Sequence, residues 1–287
     1  MPTDPGGQES FAPREVALSD LAVVGRGRTA DVLAWGQGQV VKLFHAGFPE
    51  EPVRREAHTT RMAYEAGLAA PAVGELVTVE GRLGIVHERI VGPSLLAHTR
   101  AHLWRARGCG RVLGELHAAL HGVAGEGLMP LHDYVRWNLE RAPGIAAELR
   151  ADLLARLAAL PEGEVLCHGD LHPDNVVLTA SGPVIIDWMT AVCGNPLADV
   201  ARTTLLLRSG APPEGYGRAE VWLIDRLRQS VYDAYRRAYG GRRALDREQV
   251  AAWLPIMAAA RLTEGMPEVE KAWLRRVAAG EVWARDT

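Results

Sequence analysis

The stretch that most constrains this chain is residues 165–188, where two short apolar runs are flanked by a dense set of polar side chains. Residues 176–178 and 184–186 predict two strands, because the Thr-Ala-Ser-Gly sequence between them is typical of a turn. The polar residues at the two ends of this predicted hairpin are His168, Asp170, His172, Asp174, Asn175 and Asp187. A hairpin can hold Asp170, Asn175 and Asp187 close together.

These three residue types suit phosphoryl transfer. One carboxylate can accept a proton from a hydroxyl nucleophile. The other carboxylate and the Asn amide oxygen are hard oxygen ligands of the kind that Mg²⁺ takes, with the rest of its shell left to water and phosphate. Phosphoryl transfer needs a positioned base, a metal that bridges phosphates, and little covalent help from the protein.

The spacing His168-x-Asp170-x-x-x-x-Asn175, followed by Ile-Asp187-Trp, resembles the catalytic core of the aminoglycoside phosphotransferase and choline kinase superfamily. These enzymes are small-molecule relatives of the protein kinases, and Gly169 stands where protein kinases have Arg. The resemblance implies a kinase that uses ATP and Mg²⁺ and phosphorylates a hydroxyl of a small molecule. Asp170 would be the catalytic base, and Asn175 and Asp187 the metal ligands. The alternative is a polar turn between two core strands.

The resemblance also implies a nucleotide-binding region upstream of the hairpin. Gly25-x-Gly27 is similar to a kinase nucleotide loop, in which glycines let the backbone approach phosphates, although Ala30 replaces the third Gly of that pattern. The region from His87 to Ser94 resembles the kinase hinge. Backbone groups of Glu88 and Ile90 would face the adenine.

Lys42 lies in a predicted strand, where a Lys is usually an edge charge. The chain has only one other Lys, at position 271, and uses Arg elsewhere, so a retained Lys indicates a site that needs a compact ammonium. By resemblance Lys42 contacts the α and β phosphates and pairs with a helix Glu. Glu56 is the expected partner because it shares a helix face with small residues, and Glu51 and Glu65 are the alternatives.

The pattern of elements predicts an α+β fold, similar to a protein kinase, with two lobes. Residues 1–14 are expected to be a flexible tail, residues 15–90 a nucleotide-binding lobe with an antiparallel sheet and one helix, and residues 91–287 a mostly helical lobe that carries catalysis and substrate binding. The turn after the first strand of the sheet is placed at residues 25–32.

Within the second lobe, apolar periodicity predicts several core-facing helices. One is expected to be broken near Gly108 and Gly110, and another to run from residue 139 to 160. His117 and His121 are four residues apart, as metal ligands can be, but no acidic residue nearby in the sequence completes a site, so helix packing is the preferred interpretation. Asp199 matches a superfamily aspartate that braces the catalytic loop.

The acceptor is not determined by these motifs, since sugars, amino alcohols and macrolides are acceptors among the relatives. An aminoglycoside-type antibiotic or an amino alcohol is the candidate. Polycationic acceptors need carboxylates beside the hydroxyl. Three acidic residues near a helix junction are candidates for that role, with a solvated face as the alternative: Glu264, Glu268 and Glu270.

Composition excludes several other classes of protein. The net charge of −3 argues against nucleic acid or membrane surfaces as partners. Three scattered cysteines fit a reducing compartment, so a cytoplasmic protein is expected. A monomer or a homodimer is also expected. Two rival functions remain: a non-catalytic nucleotide-binding protein, and a metal-dependent phosphoesterase suggested by the Gly-Asp-Leu-His segment that ends at His172. The second would need several more His and Asp ligands.

Overall fold

A six-stranded mixed sheet organises the first of two compact units. The computed structural model describes residues 10–14, 16–209 and 217–281. The first unit takes in the described residues up to Gly92 together with Val184–Met189, and the second consists of Pro93–Pro183 and the described residues from Thr190 onward. The strands of the sheet are β1 (Ala12–Arg14), β2 (Val23–Arg26), β3 (Ala30–Ala34), β4 (Gln39–Phe44), β5 (Val73–Val79) and β6 (Arg82–Glu88). Their spatial order is β1-β5-β6-β4-β3-β2.

The two faces of this sheet bury different clusters, because side chains alternate along each strand. One face packs on helix α1 (Glu50–Glu65) through Phe44, Ile85 and Val53. The other face buries Val41 and other β-branched or aliphatic side chains of the neighbouring strands. Lys42 therefore points to the same face as Phe44, toward α1.

The structure corrects two expectations for the first unit. The predicted tail lies outside the described residues up to position 9, but Ala12–Arg14 form strand β1, which pairs in parallel with β5. The sheet is otherwise antiparallel. Gly25 lies within β2 at a register shift and not in a turn. The turn begins at Gly27, whose N–H donates to Ala30 O at 2.8 Å.

The second unit is mostly helical. Its helices are α2 (Leu95–Ala101), α3 (Ala106–Leu120), α4 (Leu131–Arg141), α5 (Ala147–Ala159), α6 (Pro196–Arg208), α7 (Arg218–Gly240), α8 (Arg247–Ala260) and α9 (Glu268–Ala278). Strand β7 (Val165–Cys167) pairs antiparallel with β10 (Val192–Gly194). The predicted hairpin is present as β8 (Val176–Thr179) and β9 (Gly182–Ile185). The predicted α+β class is confirmed.

Helix α6 is the buried centre of this unit. Pro196 takes the first helical position, where a missing N–H costs nothing, and the Asn195 side chain caps the helix by accepting from Leu197 N at 2.9 Å. Most residues of the helix are buried, including the charged side chains of Asp199 and Arg202. The helix therefore brings charge into the interior, where each charged group needs partners.

Helix α3 is not broken near Gly108 and Gly110, contrary to expectation. It continues without interruption from Ala106 to Leu120. Two glycines of this helix, Gly110 and Gly114, are needed for close helix packing. A Cβ at Gly110 would overlap Val231 O of α7, and one at Gly114 would overlap Tyr235 O. These glycines let two helix backbones approach, and this packing outweighs their low helix propensity.

The single helix expected from residue 139 to 160 is also wrong, since α4 ends at Arg141 and α5 begins at Ala147. Ala142 adopts an extended ψ of 121°, as the residue before a proline prefers, and Pro143 follows it. Gly144 then takes a φ of +72°. The Pro-Gly pair thus ends one helix and separates it from the next.

Across the described ranges, none of the helices combines the length and the apolar character that crossing a bilayer requires.

We predict that Gly110→Ala destabilises the protein, whereas Gly108→Ala does not. Alanine normally stabilises a helix by about 1 kcal/mol relative to glycine. At position 108 a Cβ meets nothing within 4 Å, so this gain should appear as a higher melting temperature. At position 110 the overlap with α7 should reverse the sign and cost about 2 kcal/mol or more. Equal melting temperatures for the two variants would contradict this account of the α3–α7 packing.

Candidate active site

In the first unit, Lys42 joins two carboxylates that are distant in sequence. Its Nζ donates to Glu56 Oε1 of α1 at 2.7 Å and to Asp187 Oδ1 at 2.7 Å. Glu56 is almost fully buried, whereas 45% of the Asp187 side chain is exposed. The other two candidate partners of Lys42 are on the helix surface, and Glu51 pairs with Arg55. The structure thus brings together three of the predicted site residues.

Burial and charge act against each other in this cluster. Burial lowers the pKa of Lys42, but the neighbouring Glu56 and Asp187 carboxylates outweigh it and raise the pKa to about 12. Burial raises the pKa of Glu56, and the ammonium of Lys42 opposes that shift. A Lys that stays charged in a largely buried position is stabilised by its two anionic partners.

Asp187 follows β9 and has an unusual backbone. Its φ of +64° lies in the left-handed region, which non-glycine residues visit rarely but Asp more often than most. The next residue, Trp188, is fully buried and its Nε1 donates to Ile185 O at 3.1 Å. This anchor fixes the turn, so one oxygen of Asp187 contacts Lys42 while the carboxylate stays accessible. Such strained positions recur at functional sites.

The other predicted nucleotide residues also belong to the first unit. Gly25 is in β2 and Gly27 opens the turn to β3, so the two glycines lie at and beside the strand end. Glu88 ends β6, and its N–H donates to Ala72 O at 2.9 Å. The expected adenine contact of Glu88 would therefore use its carbonyl. Ile90 follows two residues later, beyond the sheet.

In the second unit, Asp170 lies on the segment that follows β7. Gly169 takes a φ of +74°, and a Cβ there would overlap Thr190 O, so only glycine suits this position. Asn175 Nδ2 donates to Asp170 O at 2.9 Å and lies 3.3 Å from Asp170 Oδ2. The structure thus brings Asp170 and Asn175 together, and Asn175 keeps its Oδ1 for another partner.

The carboxylate of Asp170 is strongly favoured in its ionised form. Burial raises its pKa, but the hydrogen bond from His172 and the charge of Arg202 outweigh burial and hold the pKa well below its usual range. Arg202 Nη2 donates to Asp170 Oδ1 at 3.0 Å, and His172 Nε2 lies 3.5 Å from Oδ2. An ionised carboxylate with a partly exposed side chain can accept a hydrogen bond from a hydroxyl group.

Asp199 of α6 braces the backbone of this segment, as the resemblance implies. Its fully buried carboxylate accepts from His168 N at 2.7 Å and from Gly169 N at 3.0 Å. Burial raises the pKa of Asp199, but the neighbouring imidazoles of His117 and His121 outweigh burial and hold this pKa well below its usual range.

His117 and His121 do have an acidic neighbour, contrary to the expectation from sequence. Their Nε2 atoms lie 3.0 and 3.3 Å from Asp199 Oδ2, a spacing that a metal ion can occupy. Their Nδ1 atoms contact the hydroxyls of Tyr235 and Tyr239 at 2.7 and 2.8 Å. With each ring donating through Nε2 and accepting through Nδ1, every one of these groups has a partner. The cluster is therefore complete as a hydrogen-bond network around Asp199.

His172 and Asp174 stabilise the turn between Asp170 and Asn175. His172 Nδ1 accepts from Asp174 N at 3.2 Å, and Ser94 Oγ donates to Asp174 Oδ1 at 2.6 Å. Ser94 also caps α2 by accepting from Ala97 N at 3.1 Å. His172 and Asp174 thus stabilise the backbone between Asp170 and Asn175.

Sequence reasoning overlooked Arg202, the most extensively bonded side chain beside Asp170. It contacts Gly169, Asp170 and Glu264. Its position three residues after Asp199, on the same face of a helix, was a usable signal, because such residues are spatial neighbours.

The three acidic residues considered for acceptor binding are all paired with arginine. Glu264 contacts Arg202 and lies 3.4 Å from Arg261 Nε. Glu270 lies 3.2 Å from Arg261 Nη2, and Glu268 contacts Arg275. Their charges are offset within the second unit, so they do not form the anionic surface expected for a polycation.

Two of the predicted site residues each offer an oxygen of the kind that Mg²⁺ takes. Asn175 offers Oδ1, because its Nδ2 is engaged by Asp170, and Asp187 offers a carboxylate that Lys42 contacts through one oxygen. Mg²⁺ prefers such oxygen ligands and usually needs one or two from the protein. Asn175 belongs to the second unit and Asp187 to the first.

We predict that His121→Gln weakens the acid sensitivity of the fold. Burial lowers the pKa of His121 to about 4, although Asp199 opposes this shift. The unfolded chain binds a proton at about pH 6.5, so stability present above that pH is lost as the pH falls toward 4, by about 2 kcal/mol at pH 5. Gln keeps a donor for Asp199 but cannot titrate.

The measurement is the free energy of unfolding at pH 7 and pH 5. His58→Gln, the same change at an exposed position of α1, is the matched control and should leave the pH dependence of wild type. An unchanged pH dependence in His121→Gln would contradict the prediction.

Comparison with solved structures supports the kinase-like fold. The chain is similar to an aminoglycoside-3'-phosphotransferase of type VIII, with 21% identity and a TM-score of 0.60 over 84% of this chain and 93% of that one. A choline/ethanolamine kinase family protein from Mesorhizobium loti has 18% identity and a TM-score of 0.61, over 92% and 88% of the two chains. The amicoumacin kinase hAmiN has 13% identity and a TM-score of 0.61, over 94% and 89%. The predicted protein-kinase-like fold is thus confirmed.

A search of curated protein sequences finds no match to this chain. The family model described as the phosphotransferase enzyme family, APH, matches residues 21–253. That match covers most of the chain, from the strands that carry Gly25 and Lys42 to helix α8, and includes the segment of Asp170 and Asn175. The chain therefore belongs to the APH phosphotransferase enzyme family, and the predicted superfamily is confirmed.

Proposed function

We propose that the protein is an ATP- and Mg²⁺-dependent kinase that transfers the γ-phosphate to a hydroxyl group of a small molecule. The observation that carries this proposal is the position of Lys42 Nζ, 2.7 Å from both Glu56 and Asp187. Three distant parts of the sequence converge on one ammonium, and a strand Lys with a helix Glu is the phosphate clamp of kinases. Family membership supports the kinase-type reaction in general terms.

The nucleotide is proposed to bind to residues of the first unit. Lys42 contacts the α and β phosphates, and Glu56 holds its side chain in place. The backbone near Gly25 and Gly27 lies over the phosphates, where the absence of a Cβ permits close approach. The backbone carbonyl of Glu88 and the backbone of Ile90 take the adenine.

Asp170 is the proposed catalytic base. The acceptor hydroxyl gives its proton to the Asp170 carboxylate as its oxygen forms a bond to the γ-phosphorus. The bond from that phosphorus to the β–γ bridging oxygen breaks, and ADP leaves with the electron pair. An ionised Asp170 is ready for this step, and its accepted hydrogen bonds fix its orientation.

Asn175 and Asp187 are the proposed Mg²⁺ ligands. When bound, Mg²⁺ neutralises charge that develops on the phosphate oxygens. The free Oδ1 of Asn175 and the exposed carboxylate of Asp187 support the assignment.

The acceptor is proposed to be an amino alcohol or an aminoglycoside-type compound. The similar structures include an aminoglycoside phosphotransferase, a choline/ethanolamine kinase family protein and an amicoumacin kinase. The arginine partners of Glu264 and Glu270 favour the less cationic of these acceptors. Free cysteines support action in the cytoplasm. The protein is proposed to act as a monomer or a homodimer.

The rival functions have less support. A non-catalytic nucleotide-binding protein would not need an ionised Asp170 supported by Asn175, His172 and Arg202. A metal-dependent phosphoesterase would need a cluster of His and acidic ligands. Among the described residues the cluster with suitable spacing is His117, His121 and Asp199, which is buried and fully hydrogen-bonded.

The decisive experiment measures ADP release from MgATP with glycerol, glucose, choline, kanamycin and erythromycin as acceptors, with and without EDTA. We expect release that depends on an acceptor, stops with EDTA and collapses in Asp170→Asn, while ATP affinity stays within a few fold. Asp133→Asn, at an exposed position of α4, is the matched control and should behave as wild type. Acceptor-independent binding of ATP without turnover would favour the non-catalytic alternative.

We predict that Lys42→Arg lowers kcat on the order of a hundredfold while ATP still binds. Guanidinium keeps the charge but is wider and planar, so it displaces the phosphates by about an ångström from in-line geometry. Lys271→Arg, the same change at the only other Lys of the chain, should leave kcat unchanged. The measurements are kcat and ATP KM, with melting temperature as the folding control. Equal kcat for both variants would show that Lys42 does not position phosphates.

A further inference from the structure

A buried arginine of α6 contacts the segment that carries Asp170, and the roles proposed above leave it unassigned. The Arg202 side chain is 7% exposed. Its Nε donates to Gly169 O at 2.8 Å, its Nη2 donates to Asp170 Oδ1 at 3.0 Å, and its Nη1 donates to Glu264 Oε1. All three nitrogens of the planar group are thus engaged, each with a different residue. A lysine ammonium cannot reproduce this fork.

The two oxygens of the Asp170 carboxylate have different partners, because Arg202 contacts only one of them. Oδ1 accepts from Arg202. Oδ2 lies 3.3 Å from Asn175 Nδ2 and 3.5 Å from His172 Nε2, and it keeps a lone pair for a further partner. Oδ2 is therefore the oxygen placed to receive the proton of an acceptor hydroxyl.

The backbone around Gly169 is held without the contact between Arg202 and the Asp170 carboxylate. Asp199 already accepts from the N–H groups of His168 and Gly169, and it lies one helical turn before Arg202. The hydrogen bond from Arg202 to Gly169 O adds a further contact to this backbone. The bond to the Asp170 side chain additionally fixes the orientation of that carboxylate.

Glu264 fixes the arginine itself. It binds the third nitrogen of Arg202 and lies 3.4 Å from Arg261 Nε, and Arg261 Nη2 lies 3.2 Å from Glu270 Oε1. Alternating charges thus run from Asp170 through Arg202 and Glu264 to Arg261 and Glu270. A buried guanidinium with two anionic partners is compensated, and it cannot turn away from Asp170 without leaving both unpaired.

We infer that Arg202, held by Glu264, is a positioning residue for the phosphotransfer reaction, which orients the Asp170 carboxylate so that Oδ2 meets the acceptor hydroxyl. This inference rests on the proposed function. It assigns Glu264 to the support of Arg202 and removes it from acceptor recognition.

The test is the kinetics of Arg202→Lys with MgATP and the panel compound that gives the highest kcat/KM in wild type. We expect kcat to fall on the order of tenfold to a hundredfold, because Lys reaches one acceptor instead of three and the carboxylate loses its fixed orientation. ATP KM should stay within about twofold, because Arg202 does not face nucleotide in this account. Arg156→Lys, at an exposed position of α5, is the matched control and should keep wild-type kcat.

A double-mutant cycle separates positioning from a purely structural role. If Arg202 acts through Asp170, Arg202→Lys should add little loss of kcat in an Asp170→Asn background, with the residual rate measured by single-turnover transfer from labelled ATP. If Arg202 had only a structural role, Arg202→Lys would lower the melting temperature. It would also lower kcat by the same factor with Asp170 present and in the Asp170→Asn background. That additive result, or a kcat within twofold of wild type in Arg202→Lys, would overturn the inference.

Removal of the charge is tested by Arg202→Gln and, should that variant not fold, by the double variant Arg202→Gln/Glu264→Gln, which removes one positive and one negative charge together. Loss of kcat with retained ATP affinity supports the inference, and retained kcat overturns it. Failure of the proposed function looks different. Wild type and Arg156→Lys would then be inactive with every acceptor, and the inference would fall with the function on which it rests.

Discussion

The segment of the second unit that carries Asp170 depends on one buried carboxylate. Asp199 accepts hydrogen bonds from His168 N and Gly169 N, and its remaining contacts are with the imidazoles of His117 and His121. An ionised carboxylate without such donors would be costly in the interior, so the donors and the carboxylate require one another. Helix α6 thereby places Arg202, one turn later, beside Asp170. The hydrogen bonds of Asp199 thus fix the position of α6, and Arg202 of that helix orients the carboxylate of Asp170.

The first unit applies the same principle with the charges reversed. The ammonium of Lys42, on strand β4, would be unstable in a largely buried position without partners. Glu56 and Asp187 stabilise it at the face of the sheet. The clamp is therefore assembled from a strand, a helix and the turn after β9. Each of these three elements contributes one charged side chain, and the ion pairs form only when the three elements pack together. This convergence explains why a chain rich in arginine keeps a lysine at this position.

Expectations drawn from local patterns succeeded or failed for identifiable physical reasons. The hairpin of β8 and β9 was predictable because turn residues separate two β-branched runs. The break expected near Gly108 and Gly110 was wrong, because Gly110 serves the contact with α7, and a contact with a distant segment leaves no local signature. The separation of α4 and α5 was in principle readable, since Pro143 precedes Gly144 and the residue before a proline avoids the helical region.

The sequence by itself determined the family-like motifs, the α+β class and the choice of Lys42, Asp170, Asn175 and Asp187 as chemical groups, because residue type and spacing carry that information. Only the tertiary structure decided which partner each group has. Glu56 rather than Glu51 or Glu65 reaches Lys42, Asp199 joins His117 and His121, and Arg202 takes both Asp170 and Glu264. These contacts join residues between 14 and 82 positions apart, and their geometry is set by how strands and helices pack. Periodicity describes one element at a time, so the pairing of charges across elements becomes visible only after folding.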